Sequence, residues 1–264
     1  MPDWIIALIL GIVEGITEFL PISSTGHLLI TEKLLGTHQT DLFNVVIQCG
    51  AVLAVLPLFP ERIHKFIFEL AKPETRDYLI KVLIAFAITG AGGLVLDKLK
   101  VKLPEELTPV AWALLVGGIA FLVVEFLMRG KKSGTDITWT IVLAVGAGQL
   151  VAAVFPGASR SGTTIILSLM LGLSRPAATE FSFLVGIPTM LAASLFKIFK
   201  ALHHPVADAP KENWGLVILA SIIAAAVSFV AVKWLLRYVQ SHTFNAFGWY
   251  RVALAVGIFL FLLK

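Results

Sequence analysis

Charged side chains are scarce: Asp, Glu, Lys and Arg make up 14% of the 264 residues against 58% hydrophobic ones, and the mean hydropathy is +0.90. A water-soluble globule needs a polar shell that this composition does not supply, so much of the surface must be solvated by lipid. Cysteine is almost missing as well. Cys49 stands alone in an apolar run, which excludes an internal disulfide and reads as a small packing residue. A basic leader is lacking too: Trp4 to Leu20 carries Glu14 and Glu18 inside its apolar stretch, which fits mature structure and not a secretory signal. The net charge of +4 comes from Lys and Arg placed mainly between the apolar runs, where they anchor helix ends, so nucleic acid is not an implied partner.

What is present is hydrophobic length. Six segments are long enough to cross a bilayer, which takes roughly 20 apolar residues: about Asp41 to Phe59, Tyr78 to Leu96, Pro109 to Met128, Pro176 to Phe199, Trp214 to Arg237 and Phe244 to Leu263. Four apolar pieces are too short and come in pairs. Trp4 to Phe19 and His27 to Leu35 flank Pro21-Ile22-Ser23-Ser24-Thr25-Gly26, and Thr138 to Phe155 and Thr163 to Leu173 flank Pro156-Gly157-Ala158-Ser159-Arg160-Ser161-Gly162. Each pair reads as a helical hairpin with a polar tip. Glu61 to Lys72 reads as an interfacial helix, with Ile63, Phe66, Ile67 and Leu70 on one face.

The hairpins resemble each other. A shift of 135 positions lays Gly11 on Gly146, Glu14 on Gln149, Pro21 on Pro156 and Ser24 on Ser159. Three spans separate the two hairpins, so the second enters from the opposite side if neither crosses. The expected fold class is therefore an all-α integral membrane protein: six transmembrane helices plus two re-entrant helical hairpins in an inverted-topology repeat. It forms a single membrane domain over 1–264, with repeat 1 about 1–128 and repeat 2 about 138–264. Irregular backbone at membrane depth is tolerated only in protein or beside a wet cavity, so the tips mark the site.

On this topology one face carries eleven basic residues (Arg62, Lys65, Lys72, Arg76, Lys81, Arg129, Lys131, Lys132, Arg175, Lys233 and Arg237) and the other eight (Lys33, Lys98, Lys100, Lys102, Lys197, Lys200, Lys211 and Lys264). The positive-inside bias puts the eleven in the cytoplasm and both termini outside.

Glu14 and Glu18, four apart, project from one helix face. Two carboxylates in apolar surroundings favour sharing a proton or holding a divalent cation; solvation near the interface is the alternative. Ser23, Ser24, Thr25 and His27 follow Pro21. The hydroxyls serve as helix N-caps or, with the His27 imidazole, as parts of an activated nucleophile or general base, and spacing leaves open whether Ser24 or His27 attacks. In the second tip Gly157, Ser159, Ser161, Gly162, Thr163 and Thr164 surround Arg160, the composition of an anion site built from free amides, a helix dipole and a bidentate guanidinium. An ion pair of Arg160 with Glu14, Glu18 or Glu180 is the competing use. Gln48, Gln149 and Glu180 read as bonds between helices, and Glu125 as a hydrated group at a helix end. His203, His204 and Asp208 lack the spacing of a zinc site.

Glu14-Gly15-Ile16-Thr17-Glu18-Phe19-Leu20-Pro21-Ile22-Ser23-Ser24-Thr25-Gly26-His27 and Pro156-Gly157-Ala158-Ser159-Arg160-Ser161-Gly162-Thr163-Thr164 closely resemble the two signature motifs of the undecaprenyl-diphosphatase, or bacitracin-resistance, family. Phe43-Asn44-Val45-Val46-Ile47-Gln48, Glu180-Phe181-Ser182-Phe183 and the overall length extend the likeness over the whole chain. The resemblance implies a hydrolase of the bacterial inner membrane that takes one phosphate from undecaprenyl diphosphate and so recycles the carrier for cell-wall precursors. It also implies stimulation by Mg2+ or Ca2+ at Glu14 and Glu18, and a cleft open to the periplasm. By position it assigns Glu14, Glu18, Ser24, His27 and Arg160 to catalysis, with Ser159 and Thr164 as supporting hydroxyls; together with the reading of the second tip, the phosphate-binding set is Ser159, Arg160, Ser161, Thr163 and Thr164. The implied partners are a polyprenyl diphosphate and membrane lipid, with a homodimer as the simplest assembly. The rival reading is a flippase of a polyprenyl phosphate, since inverted repeats with broken helices also serve transport. Acid-phosphatase-like lipid phosphatases, which follow a Ser-Arg pair with a histidine at fixed distance, are excluded because Ser159-Arg160 is followed by Ser161, Gly162, Thr163, Thr164, Ile165 and Ile166 with no histidine among them.

Overall fold

The structure is a computed structural model, and it describes residues 1–99, 106–203 and 212–263. Lys100, Lys102, Lys211 and Lys264 of the charge comparison, with His204 and Asp208, lie outside the described residues. Those described are helical or irregular, without a named strand.

Six helical stretches are long and apolar enough to span a membrane. They are α3 (Asp41–Val55) with a 3-10 turn at Leu56–Leu58, α5 (Pro73–Lys98), α6 (Leu107–Met128), α9 (Arg175–His203), α10 (Trp214–Ser241), and α11 (Asn245–Gly257) with a π-helical turn at Ile258–Leu262. The protein is thus a multi-pass membrane protein with all six expected spans. Leu83, Val116, Ile222 and Val230 lie exposed on the outer faces of these helices, as lipid-facing residues must.

The four short pieces are α1 (Asp3–Thr17), α2 (Ser24–Leu35), α7 (Trp139–Val154) and α8 (Arg160–Met170). The longest, α7, has 16 residues, about 24 Å of helix, less than the ~30 Å of a hydrocarbon core. α1 packs on α2 and α7 on α8, giving two hairpins. α4 (Pro60–Phe68) carries exposed Ile67 and Phe68. It ends before the expected Lys72, because Pro73 opens α5 and disfavours helical backbone in the residue before it.

The hairpins exchange partners: α1 lies against α10, and α7 against α5. Glycine permits both approaches. A Cβ on Gly11 would stand 2.6 Å from the Ala220 carbonyl oxygen, and one on Gly146 would stand 3.1 Å from that of Ala85. The tips converge in one core. Phe19, Leu20 and Ile22 from the first share a buried cluster with Ile165 of α8, Phe181 and Val185 of α9, and Ala224 of α10.

Ion pairs sort the helix ends. Lys197 with Asp41 and Lys200 with Asp97 lie at one end of the bundle, while Arg62 with Glu180 and Arg175 with Glu125 lie at the other. Glu125 is not the hydrated group the sequence suggests. It is 4% exposed, takes two bonds from Arg175 at 2.8 and 2.5 Å, and accepts the Phe244 amide at the start of α11.

Candidate active site

Each tip ends in a strained serine. Ser23 has φ 73° and Ser159 φ 70°, left-handed values that side chains other than glycine seldom adopt. Their hydroxyls repeat one job: Ser23 Oγ accepts the Gly26 amide at 3.2 Å and Ser159 Oγ the Gly162 amide at 3.1 Å. Both are N-caps, and they start α2 and α8 three residues before the sequence suggests, at Ser24 and Arg160. Cap matches cap at a separation of 136, not 135, because the second tip holds one more residue between its proline and its serine.

This geometry places Ser24 and Arg160 in the first turns of α2 and α8, and both reach Glu18. Ser24 Oγ donates to Glu18 Oε2 at 2.5 Å, and Arg160 Nη2 donates to Oε1 at 3.1 Å. Arg160 also donates to the Ser182 carbonyl at 3.4 Å and to Met190 Sδ at 2.8 Å, and its carbon terminus lies 5.3 Å from the Phe19 ring centroid. Its Nε is buried without a partner. Glu14, one turn before Glu18, is wholly buried, and neither of its carboxylate oxygens has a hydrogen-bond partner; Glu18 and Arg160 are the charged groups acting on it.

His27 faces elsewhere. Nδ1 lies 2.7 Å from the Ser23 carbonyl and Nε2 lies 2.6 Å from the Tyr250 hydroxyl. A carbonyl only accepts, so Nδ1 carries the proton and Nε2 accepts from Tyr250. His27 bonds neither Ser24 nor either acid. The second-tip hydroxyls are turned inward as well. Ser161 donates to the Leu20 carbonyl at 3.2 Å, tying tip to tip, and Thr164 bonds Ser182 Oγ at 2.5 Å. Thr163 Oγ1 lies 3.5 Å from the Ala158 carbonyl, and its amide donates to the Ser159 carbonyl at 2.9 Å. The amides that open α8 are therefore those of Arg160 and Ser161.

Residues 7–257 match the family model for Bacitracin resistance protein BacA. The chain belongs to that family. It is 49% identical over 255 residues, 96% of its own length and 95% of the other's, to an undecaprenyl-diphosphatase of Rhizobium etli. It is 48% identical over 257 residues, 97% of each, to an undecaprenyl-diphosphatase of Xylella fastidiosa. A third, from Xanthomonas oryzae pv. oryzae, is 47% identical over 264 residues, 99% of this chain and 98% of that one.

The largest omission from the sequence reading of this BacA-family chain is Arg251. It is 0% exposed and meets only carbonyls: Pro21 at 3.2 Å, Gly157 at 3.1 Å, Ala158 at 3.0 Å, Ala113 at 3.1 Å and Leu114 at 3.4 Å. One guanidinium thus fastens both tips to α6. The signal was available, since Arg160 and Arg251 are the two Lys or Arg residues that belong to neither basic face, and Arg251 is a charge deep in an apolar run, which is a functional marker. Gly186 left no such signal, yet a Cβ there would stand 1.9 Å from Arg160 Nη1.

Proposed function

We propose that this chain is an undecaprenyl-diphosphate phosphatase: it hydrolyses undecaprenyl diphosphate to undecaprenyl phosphate and inorganic phosphate, at the junction of the two tips. The relatives' shared name supports the substrate. The observation that carries the site is the Glu18 carboxylate, bonded at once by Ser24 from the first tip and Arg160 from the second. A hydroxyl at 2.5 Å from a carboxylate is placed to lose its proton to it. Ser24 Oγ attacks the terminal phosphorus, Glu18 takes the proton, and the bridging oxygen departs with the lipid monophosphate. Water then cleaves the phosphoserine, releasing phosphate and restoring Ser24. Arg160, with an unpartnered Nε beside the site, holds phosphate oxygens as charge builds on them. His27, held by Ser23 and Tyr250, fixes the opening turn of α2 that carries Ser24.

A divalent cation fits the acids present. Two buried Glu14 oxygens without partners, next to Glu18, offer the hard ligands that Mg2+ or Ca2+ takes. No cluster of three or more His, Cys, Asp or Glu occurs among the described residues, so phosphate and water would complete the shell. When bound, such an ion supplies neutralising charge for the diphosphate oxygens.

Both hairpins are re-entrant arms of inverted repeats, about 1–128 and 138–264, in the bacterial inner membrane, with the basic face in the cytoplasm and the cleft open to the periplasm; a homodimer is the simplest assembly. The exchange of partners between hairpins supports the repeat. Gly11 meets Ala220 and Ile223, and Gly146 meets Ala85 and Ile88, every corresponding pair 135 apart.

The test is phosphate release from a polyprenyl diphosphate in detergent, where no flippase activity is possible. Arg160→Ala and Glu18→Ala should each lose about 100-fold or more, and Ser24→Ala should abolish the phosphoserine trapped at acid pH. Parental rates in folded Arg160→Ala and Glu18→Ala proteins would refute the assignment.

A further inference from the structure

At the end of the bundle where α6 finishes and α9 and α11 begin lies a cavity of about 620 Å3 that shares no residue with the Glu18–Arg160 site. Leu169 of α8 lines it, nine residues beyond Arg160 and so about 13 Å along that helix. Four cations, Arg129, Lys131, Lys132 and Arg175, border it against one acid, Glu125. Glu125 is already matched by Arg175. Among the described residues, Arg129, Lys131 and Lys132 have no carboxylate within salt-bridge distance, so the cavity carries an excess of positive charge.

Its rim is fixed. The Gly134 amide donates to the Gly172 carbonyl at 2.9 Å and the Ser174 amide to the Gly134 carbonyl at 2.8 Å, which pins the cationic loop to the α8–α9 turn. Gly130 and Gly172 make the necessary bends at φ 74° and 91°. One wall is apolar, with Leu122, Phe126 and Trp249; Phe126 and Trp249 are 72% and 63% exposed, so this wall continues into the lipid-facing surface.

We propose that this cavity binds the phosphate headgroup of an anionic membrane phospholipid, with Arg129, Lys131 and Lys132 on the phosphate and the acyl chains against Phe126 and Trp249. The shared chemistry with a soluble anion is the phosphate group. The apolar wall and the interfacial tryptophan favour the lipid, since basic pockets between spans at the helix ends suit such headgroups. The loop is ordered by its own backbone bonds, so binding need not order it. Leu169 of α8 and Asn245 and Trp249 of α11 line the cavity, so an occupant here ties those helices together and raises thermal stability.

The experiment uses the full chain in phosphatidylcholine nanodiscs with graded phosphatidylglycerol, and follows lipid retention by native mass spectrometry and thermal stability. Saturable phosphatidylglycerol binding is expected. An Arg129→Gln/Lys131→Gln/Lys132→Gln protein should weaken it by on the order of 100-fold, about five-fold per charge removed, while still releasing phosphate at the parental rate, which shows it folded. Equal retention by parent and variant would overturn the site. Binding of inorganic phosphate alone, with the same loss in the variant, would overturn the lipid assignment in favour of a soluble anion.

Discussion

At the scale of single residues, Glu18 joins a hydroxyl and a guanidinium that begin 136 positions apart as helix neighbours of Ser23 and Ser159. Glu14, Glu18, Ser24, His27 and Arg160 were legible because polar groups in apolar runs stand out. How they pair was not, since His27 turns to Tyr250 and the hydroxyls of Ser161 and Thr164 turn inward. Gly186 was invisible in sequence because its role is absence of a side chain. It also gives a sharp test. A methyl group at 186 would collide with Nη1 and Cζ of Arg160, at 1.9 and 2.5 Å, and the flexible arginine would yield before the backbone does. Gly186→Ala should therefore leave the melting temperature nearly unchanged while phosphate release falls about 100-fold, the loss that a misplacement of about 1 Å can bring. A variant with parental activity would mean that Arg160 need not sit where it does.

At the scale of elements, the six spans could be read from length and hydropathy alone. Helix starts at the tips could not, because a serine at positive φ is an unfavourable N-cap that local preference does not foresee. What holds two such turns against their strain is tertiary. Arg251 binds carbonyls of Pro21, Gly157 and Ala158 from the tips and of Ala113 and Leu114 from α6, and Gly117 makes room, since a Cβ there would stand 2.1 Å from the guanidinium. A lysine offers three donors from one point and cannot serve five carbonyls on separate segments. Arg251→Lys should accordingly lower both thermal stability and phosphate release, and Arg251→Met more so, by about 3 kcal/mol or more, because buried carbonyls lose their partners. If Arg251→Met kept parental stability and rate, the tips would be held by other contacts.

At the scale of the whole molecule, the proposed site depends on sidedness. An odd number of spans between the hairpins was countable in the sequence; that each hairpin leans on the other half's helix was not, because partner exchange leaves no local trace. The observed end-to-end ion pairs fit the count: α3 starts at the end where α9 finishes, through Asp41 and Lys197, and Arg62 after α3 meets Glu180 near the start of α9. His38 then belongs to the termini's face and Ser133 to the face of Arg129, Lys131 and Lys132. Both are exposed, and Cys49 is the single native thiol, so Cys49→Ala gives a silent background. In that background His38→Cys should react with an impermeant maleimide added outside intact cells, and Ser133→Cys only after permeabilisation, because the proposed orientation keeps the basic face in the cytoplasm. Reversed labelling would invert the orientation and turn the cleft inward. Labelling of both from the same side would be graver, because the two hairpins could then not enter from opposite faces, and the meeting of Glu18 with Arg160 at membrane depth would lose its topological basis.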